Sequence, residues 1–308
     1  MNKLKKVGLT ALATSLVASS AYAGEMSVSG SASLNYSGLS TNSNSNPWTM
    51  GDSVTISGGG DLDNGMTVGV SYELDGGNYD DYKLTLGLGD GMGTVTFSGN
   101  SVNAGGVDMV KDIVPTAYTA VYENTNAVDN GIAAGVGGRN TLSMWGYKNT
   151  VGDLTVSLGY NAENDTAATD AAEQSIGLQY TMDSITAVAG RFDDGDTAIH
   201  DTYGLKYTAG AITAGIQRAD INYDGTTNDQ ESMHMGVSFA VNESLSVSAG
   251  RQKVEIDSAV DDEVNSGVSA SYTMGSITFG GGFNEVTSAG GAAGSDAEVT
   301  MLNIAFAF

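Results

Sequence analysis

Apolar and polar positions alternate one by one along much of this chain, most plainly in Val268 to Phe283, VSASYTMGSITFGGGF. Val268, Ala270, Tyr272 and Met274 share one parity before Gly275-Ser276, and Ile277, Phe279, Gly281 and Phe283 share it afterwards. Ser, Thr and Gly fill the other parity. Side chains on a strand change face with every residue, so the segment predicts a hairpin with one apolar face. A two-residue turn there sets Met274 opposite Ile277 and Tyr272 opposite Phe279.

The unit recurs as IGLQYTMDSITAVAGR from Ile176, as YGLKYTAGAITAGIQR from Tyr203, and more loosely from Met233 to Arg251. The same alternation runs through Met26 to Tyr36, Val54 to Leu62, Met66 to Leu74, Tyr82 to Leu88, Gly93 to Phe97, Leu154 to Tyr160 and the terminal Leu302 to Phe308. A further strand is expected near 141–148, with its facing open. The pattern predicts sixteen strands, joined alternately by seven turns of two to five residues and eight longer loops rich in Asp, Gly, Ser and Asn. Short connections at one rim and long ones at the other are the signature of a closed antiparallel barrel.

Tyr180, Tyr207, Phe239 and Tyr272 precede short turns, whereas Tyr36, Tyr72, Tyr82 and Tyr160 stand beside long loops, all on the apolar parity. Rings at both ends of an apolar band are the interfacial girdles of a barrel in a membrane. The fold class expected is therefore all-β, a sixteen-stranded transmembrane barrel with lipid outside and a polar bore. Residues 100–139 break the alternation, and a loop of that length is usually functional.

The first residues add a destination. Lys3, Lys5 and Lys6 precede a short apolar run and the A-x-A site Ala21-Tyr22-Ala23, so 1–23 reads as a cleaved secretory signal and 24–308 as the barrel domain. Removing three positive charges takes the net charge from −24 to −27. So acidic a chain is not expected to bind nucleic acid. There is no cysteine, which excludes disulfides and thiolate metal sites, and two histidines make no zinc cage. Ser, His and Asp are too common here for a catalytic triad to be read from them.

With its signal, sixteen alternating strands, long loop after the fifth strand and terminal Phe308, the chain resembles the Gram-negative general porins of alphaproteobacteria. The resemblance covers Gly24 to Phe308. It implies a bacterial outer-membrane location, short periplasmic turns, long extracellular loops, a third loop folded into the bore and a homotrimer in outer-membrane lipid and lipopolysaccharide. The function it implies is passive diffusion of small hydrophilic solutes and ions through water-filled pores, without catalysis or a required cofactor. A substrate-specific channel, a barrel-borne enzyme and a secreted acidic adhesin are the alternatives.

A pore of this kind needs a polar bore, a constriction and a field across it. On the polar parity lie Lys83, Lys206 and His234. The long loop supplies Asp108, Asp112, Glu123 and Asp129, against Lys111 and Arg139. Some of these acids are expected to face the wall cations at the narrowest point and, with the charge overall, to favour cations. Arg191, Arg218 and Arg251 fall on the apolar parity, which places them at the outer rim near lipid headgroups unless a bulge turns them into the pore. In the sixth loop, Asp220, Asn222, Asp224, Thr226, Asn228 and Glu231 fit the twelve-residue calcium-loop spacing, although turn-rich loops use the same residues.

Overall fold

The structure, a computed structural model, describes residues 26–40, 46–99, 105–123, 144–162, 171–225 and 228–308, with the backbone alone at 78–79. The expected signal segment lies outside them. Sixteen strands form one closed antiparallel barrel, each paired with its sequence neighbours and the last with the first. They are β1 (Ser27–Leu39), β2 (Trp48–Asp61), β3 (Thr67–Asp75), β4 (Asn78–Gly87), β5 (Thr94–Gly99), β6 (Met144–Val151), β7 (Leu154–Asn161) and β8 (Glu173–Met182). The second half comprises β9 (Ile185–Asp193), β10 (Ala198–Ala209), β11 (Ile212–Tyr223), β12 (Gln230–Ala240), β13 (Leu245–Ile256), β14 (Glu263–Met274), β15 (Ile277–Thr287) and β16 (Ala297–Ala307).

The hairpin read from the sequence has the expected register, Met274 against Ile277 and Tyr272 against Phe279. Its apolar parity faces outward: Tyr72, Leu158, Leu178, Ile216, Val237, Val268 and Phe279 are all exposed. On a barrel this is the lipid-facing surface, and the large apolar area needs no protein to cover it. Both tryptophans join the aromatic girdle at the long-loop end. Trp48 packs edge-on to Tyr36 with ring centroids 5.1 Å apart, and Trp145 lies 4.9 Å from Phe97.

Closure is made at β1 and β16, in register from Ser31 with Ala307 to Leu39 with Val299. Phe308 extends the seam through backbone hydrogen bonds in both directions with Gly30. A Cβ on Gly30 would lie 2.5 Å from the Phe308 ring, so this glycine makes room for the terminal side chain.

Loop lengths are less strictly sorted than the sequence predicts. DGGNYDD, at 75–81, has the composition expected of one of the longer loops, but β3 and β4 extend through it and leave only Gly76 and Gly77 between them, with a register shift at Glu73/Leu74. Both glycines have positive φ, which a tight reversal between twisted strands requires. Conversely, the β4–β5 turn spans 88–93, longer than expected.

The loop between β9 and β10 is also tight and is organised by Asp194, which accepts hydrogen bonds from Thr197 Oγ1 and from the backbone N–H of Asp196, Thr197 and Ala198. Burial alone would raise its pKa, but those donors outweigh it and hold the carboxyl at about 2, below the usual 3.8. A folded pKa below the unfolded one stabilises the loop above about pH 3.8, and the contribution disappears as pH falls through about 2. Pepsin should therefore nick Asp194→Asn in this loop faster than the parent at pH 4, and the two rates should converge near pH 2.

Candidate functional site

The inside of the barrel has two different walls. On the strands from β1 to β5 the inward parity is mostly Ser, Thr, Asn and Gly, as in Ser31, Ser33 and Asn35 of β1, Thr55 and Ser57 of β2, and Thr94 and Thr96 of β5, with the charged Glu73 of β3 and Asp81 and Lys83 of β4 among them. From β7 to β15 the wall is covered by residues 105–123, which run along its inner face. A short 3-10 turn (Gly106–Val110) opens this segment, packing on β7, β8 and β9.

Behind the segment the interior is dry. Val107, Val110 and Ile113 cluster with Val188, Phe192 and Ala219, all buried. The sequence expected a polar inward parity throughout, and these three wall residues depart from it because they face a protein segment rather than water.

A backbone lying in such a place must still satisfy its polar groups, and the wall supplies one polar side chain on most strands it crosses. The Gly106 N–H donates to Ser157 Oγ of β7 at 2.8 Å. Gln217 of β11 accepts from the Ile113 N–H at 3.1 Å and donates to the Val110 carbonyl at 2.9 Å. Ala117 and Tyr118 donate their N–H groups to Ser248 Oγ of β13 and Ser269 Oγ of β14, at 2.9 and 3.1 Å. Asn284 of β15 donates to the Ala120 carbonyl at 2.7 Å.

Between these latches the wall is glycine. A Cβ on Gly190 would lie 2.7 Å from Val107 Cγ2, one on Gly215 2.7 Å from Pro115 Cδ, and one on Gly236 2.8 Å from Val114 Cγ1. Gly177 touches the Gly106 carbonyl and Gly280 the Tyr118 ring in the same way. Gly215, Gly236 and Gly250 stand abreast across β11, β12 and β13, forming a trough one side chain deep. The sequence showed these glycines on the inward parity of the repeat, but nothing local reveals that a segment more than 60 residues away in sequence lies over them.

Of the charged residues expected at the constriction, Asp108, Asp112 and Glu123 are on the inward segment. Asp108 pairs with Lys111 at 2.7 Å. It also lines one cavity together with Lys83 of β4 and Lys148 of β6. Lys148 was missed because the facing of β6 was open; the register with β5 turns it inward, abreast of Thr94. Asp112 accepts a hydrogen bond from the Tyr122 hydroxyl at 2.7 Å, and the Tyr122 ring packs edge-on to inward-facing His234. Glu123 accepts from Thr119 Oγ1. Burial, with the Glu123 charge nearby, raises the Tyr118 phenol above its usual pKa. Lys206 points inward between outward Leu205 and Tyr207, and among the described residues no ion pair joins it to the loop acids. Asp129 and Arg139 lie outside the described residues.

Arg191, Arg218 and Arg251 are not in the pore. The register of β9 to β14 is unbroken, no bulge intervenes, and all three face outward toward the long-loop rim. Arg191 forms a two-pronged pair with Asp201 at 2.7 Å, and Arg218 bonds both Asp220 and Glu231.

The same pairing engages the two ends of the calcium-loop spacing. Asp220 and Asn222 belong to β11 and Glu231 to β12, with Asp220 and Glu231 abreast in the register. Arg218 takes the two outer carboxylates, and Asn228 Oδ1 accepts from Ser258. Asp224 lies in the turn between those strands, Thr226 is outside the described residues, and among the described residues no group of three or more His, Cys, Asp or Glu is placed to hold a metal.

If the glycine trough fixes how far the segment projects, filling it should narrow the channel. Gly236→Ala is expected to lower single-channel conductance, and Val114→Ala on the same chain to restore it, because it removes the methyl that the new Cβ meets.

The barrel fold is shared with solved proteins. A porin refined at 1.8 Å resolution is 18% identical, with a TM-score of 0.72 over 92% of this chain and 100% of its own. An engineered variant of Rh. blastica porin is 15% identical, with a TM-score of 0.66 over 92% and 100%. A loop-deletion variant of OmpT, an outer membrane protein of Vibrio cholerae, is 13% identical, with a TM-score of 0.67 over 92% and 99%. At these identities the likeness is one of fold. No curated protein matches the chain. The family described as Gram-negative porin matches residues 8–308, nearly the whole sequence. The chain accordingly belongs to the Gram-negative porins, channel-forming barrels of the outer membrane that carry out no catalysis.

Proposed function

We propose that this porin is a passive, water-filled route for small hydrophilic solutes and ions, with a preference for cations, and that it works as a homotrimer after removal of residues 1–23. The observation that carries the reading is the asymmetric bore: residues 105–123 occupy one side and leave the Ser/Thr wall of β1 to β5 facing water. Hydroxyls on such a wall exchange hydrogen bonds with water and passing solutes without holding any of them tightly.

The cation preference rests on charge. Acids reach the bore from Glu73, Asp81, Asp108, Asp112 and Glu123, and cations from Lys83, Lys111, Lys148 and Lys206, inside a chain of net charge −24 before processing. A low-dielectric wall focuses that excess into the lumen. For assembly, the outer surface of β2 and β3 has an apolar depression floored by Gly58 and Gly60 and edged by Ile56, Leu62, Val70 and Tyr72, where a second barrel wall fits closely. Gly30 of β1 is covered by Phe308 and takes no part in that depression.

Planar-bilayer recording tests both parts. In a salt gradient the reversal potential should have the sign of a cation-preferring pore, with Asp108→Asn reducing the preference and Lys148→Gln increasing it. Insertions should appear in threefold conductance steps. Anion preference in the parent protein would overturn the charge assignment, and single steps would overturn the trimer.

A further inference from the structure

Between the start of the inward segment and the wall of β4 to β7 lies a cavity of about 730 Å³. That is room for a small organic solute. Gly89, Asp90 and Gly91 of the β4–β5 turn line it, so it belongs to the short-turn half of the bore.

Strand register lays out its floor. Thr85 of β4 is abreast of Thr96 of β5, and Thr94 of β5 is abreast of Lys148 of β6. Lys83 is abreast of Ser98, four residues along β5 from Thr94, and lies two strands away from Lys148. At about 4.8 Å between strands and 3.3 Å per residue, the Cα atoms of the two lysines are roughly 16 Å apart. The two ammonium groups therefore enter one cavity from opposite corners of its floor, with the hydroxyls of Thr85, Thr94 and Thr96 between them.

The protein does not neutralise either lysine. Among the described residues neither is in an ion pair. Asp108, on the segment side of the cavity, is held by Lys111 at 2.7 Å. Asp81, two residues from Lys83 on the same face of β4, is not one of the lining groups, and the remaining acid is Asp90 in the turn.

We propose that this cavity is a subsite for small organic dicarboxylates, with one carboxylate on Lys83, the other on Lys148 and the hydroxyl floor beneath the chain between them. The inference rests on the open, water-filled channel proposed above and adds a solute class to it. A bore with an excess of acids depletes anions, and two unneutralised ammonium groups reverse that field locally. Lysine is a mobile point charge on a flexible stem, so the hold is weak enough for the solute to leave again.

The test is planar-bilayer recording in potassium chloride with succinate or butyrate added to both sides. Succinate should lower the conductance along a saturable curve. Lys83→Gln and Lys148→Gln should each raise the half-blocking concentration several-fold, and Lys148→Arg should keep it near the parent value. Asp90→Asn should lower it, since asparagine tolerates the positive φ of that position. Butyrate, with a single carboxylate, should block only at much higher concentration. Lys206→Gln removes a bore cation on β10 and should leave the succinate block as in the parent. Conductance before addition verifies that each variant is folded and open. A parent that conducts without succinate block overturns the subsite alone, whereas absence of conductance overturns the channel itself. Equal block by butyrate, or an equal loss of block in Lys206→Gln, overturns the two-lysine site in favour of a diffuse effect of bore charge.

Discussion

The structure depends on the seam between β1 and β16. In hydrocarbon a backbone N–H or C=O without a partner is too costly to persist, so a sheet crossing a membrane must have no edge. Pairing from Ser31 with Ala307 to Leu39 with Val299, extended by the Phe308–Gly30 backbone bonds, removes the only two edges this sheet would have. Once closed, it must turn one parity to lipid and the other to its own axis. Alternation along each strand then becomes a division between outside and inside.

Closure alone leaves a wide tube. What occupies one side of it is the segment 105–123, and the wall beneath that segment is built differently from the rest. Glycines lower the floor, while Ser157, Gln217, Ser248, Ser269 and Asn284 take up the hydrogen bonds of a backbone that has left water. The segment answers with Val107, Val110 and Ile113, which bury themselves against the wall. Its charged side chains remain on the bore side, where Asp108 lines one cavity with Lys83 and Lys148. Position and charge at the constriction therefore both follow from how one segment is seated.

Much of the barrel was legible because period-two alternation is local and repeated. The register of the last hairpin, the outward aromatics and the inward facing of Lys83, Lys206 and His234 all follow from counting residues. Arg191, Arg218 and Arg251 kept their parity, and placing them in the pore required a bulge that is not there. The calcium-loop spacing is a weaker guide for a related reason: β11 and β12 extend into its two ends, and Arg218 bonds a carboxylate at each. DGGNYDD misled because composition cannot distinguish a long loop from two strands meeting at Gly76 and Gly77. The seat of the inward segment was illegible because its contacts join residues far apart in sequence, and only the closed fold brings Val114 to Gly236 or Pro115 to Gly215.

Since the chain contains no cysteine, single cysteines introduced along β8 can report which side of the wall each residue occupies. In lipid vesicles, Gln179→Cys and Thr181→Cys should react with a charged, membrane-impermeant thiol reagent. Leu178→Cys and Tyr180→Cys should resist it and react only with a reagent dissolved in the bilayer. The opposite pattern, or equal reactivity at all four, would contradict a wall with water on its inner face and lipid on its outer one.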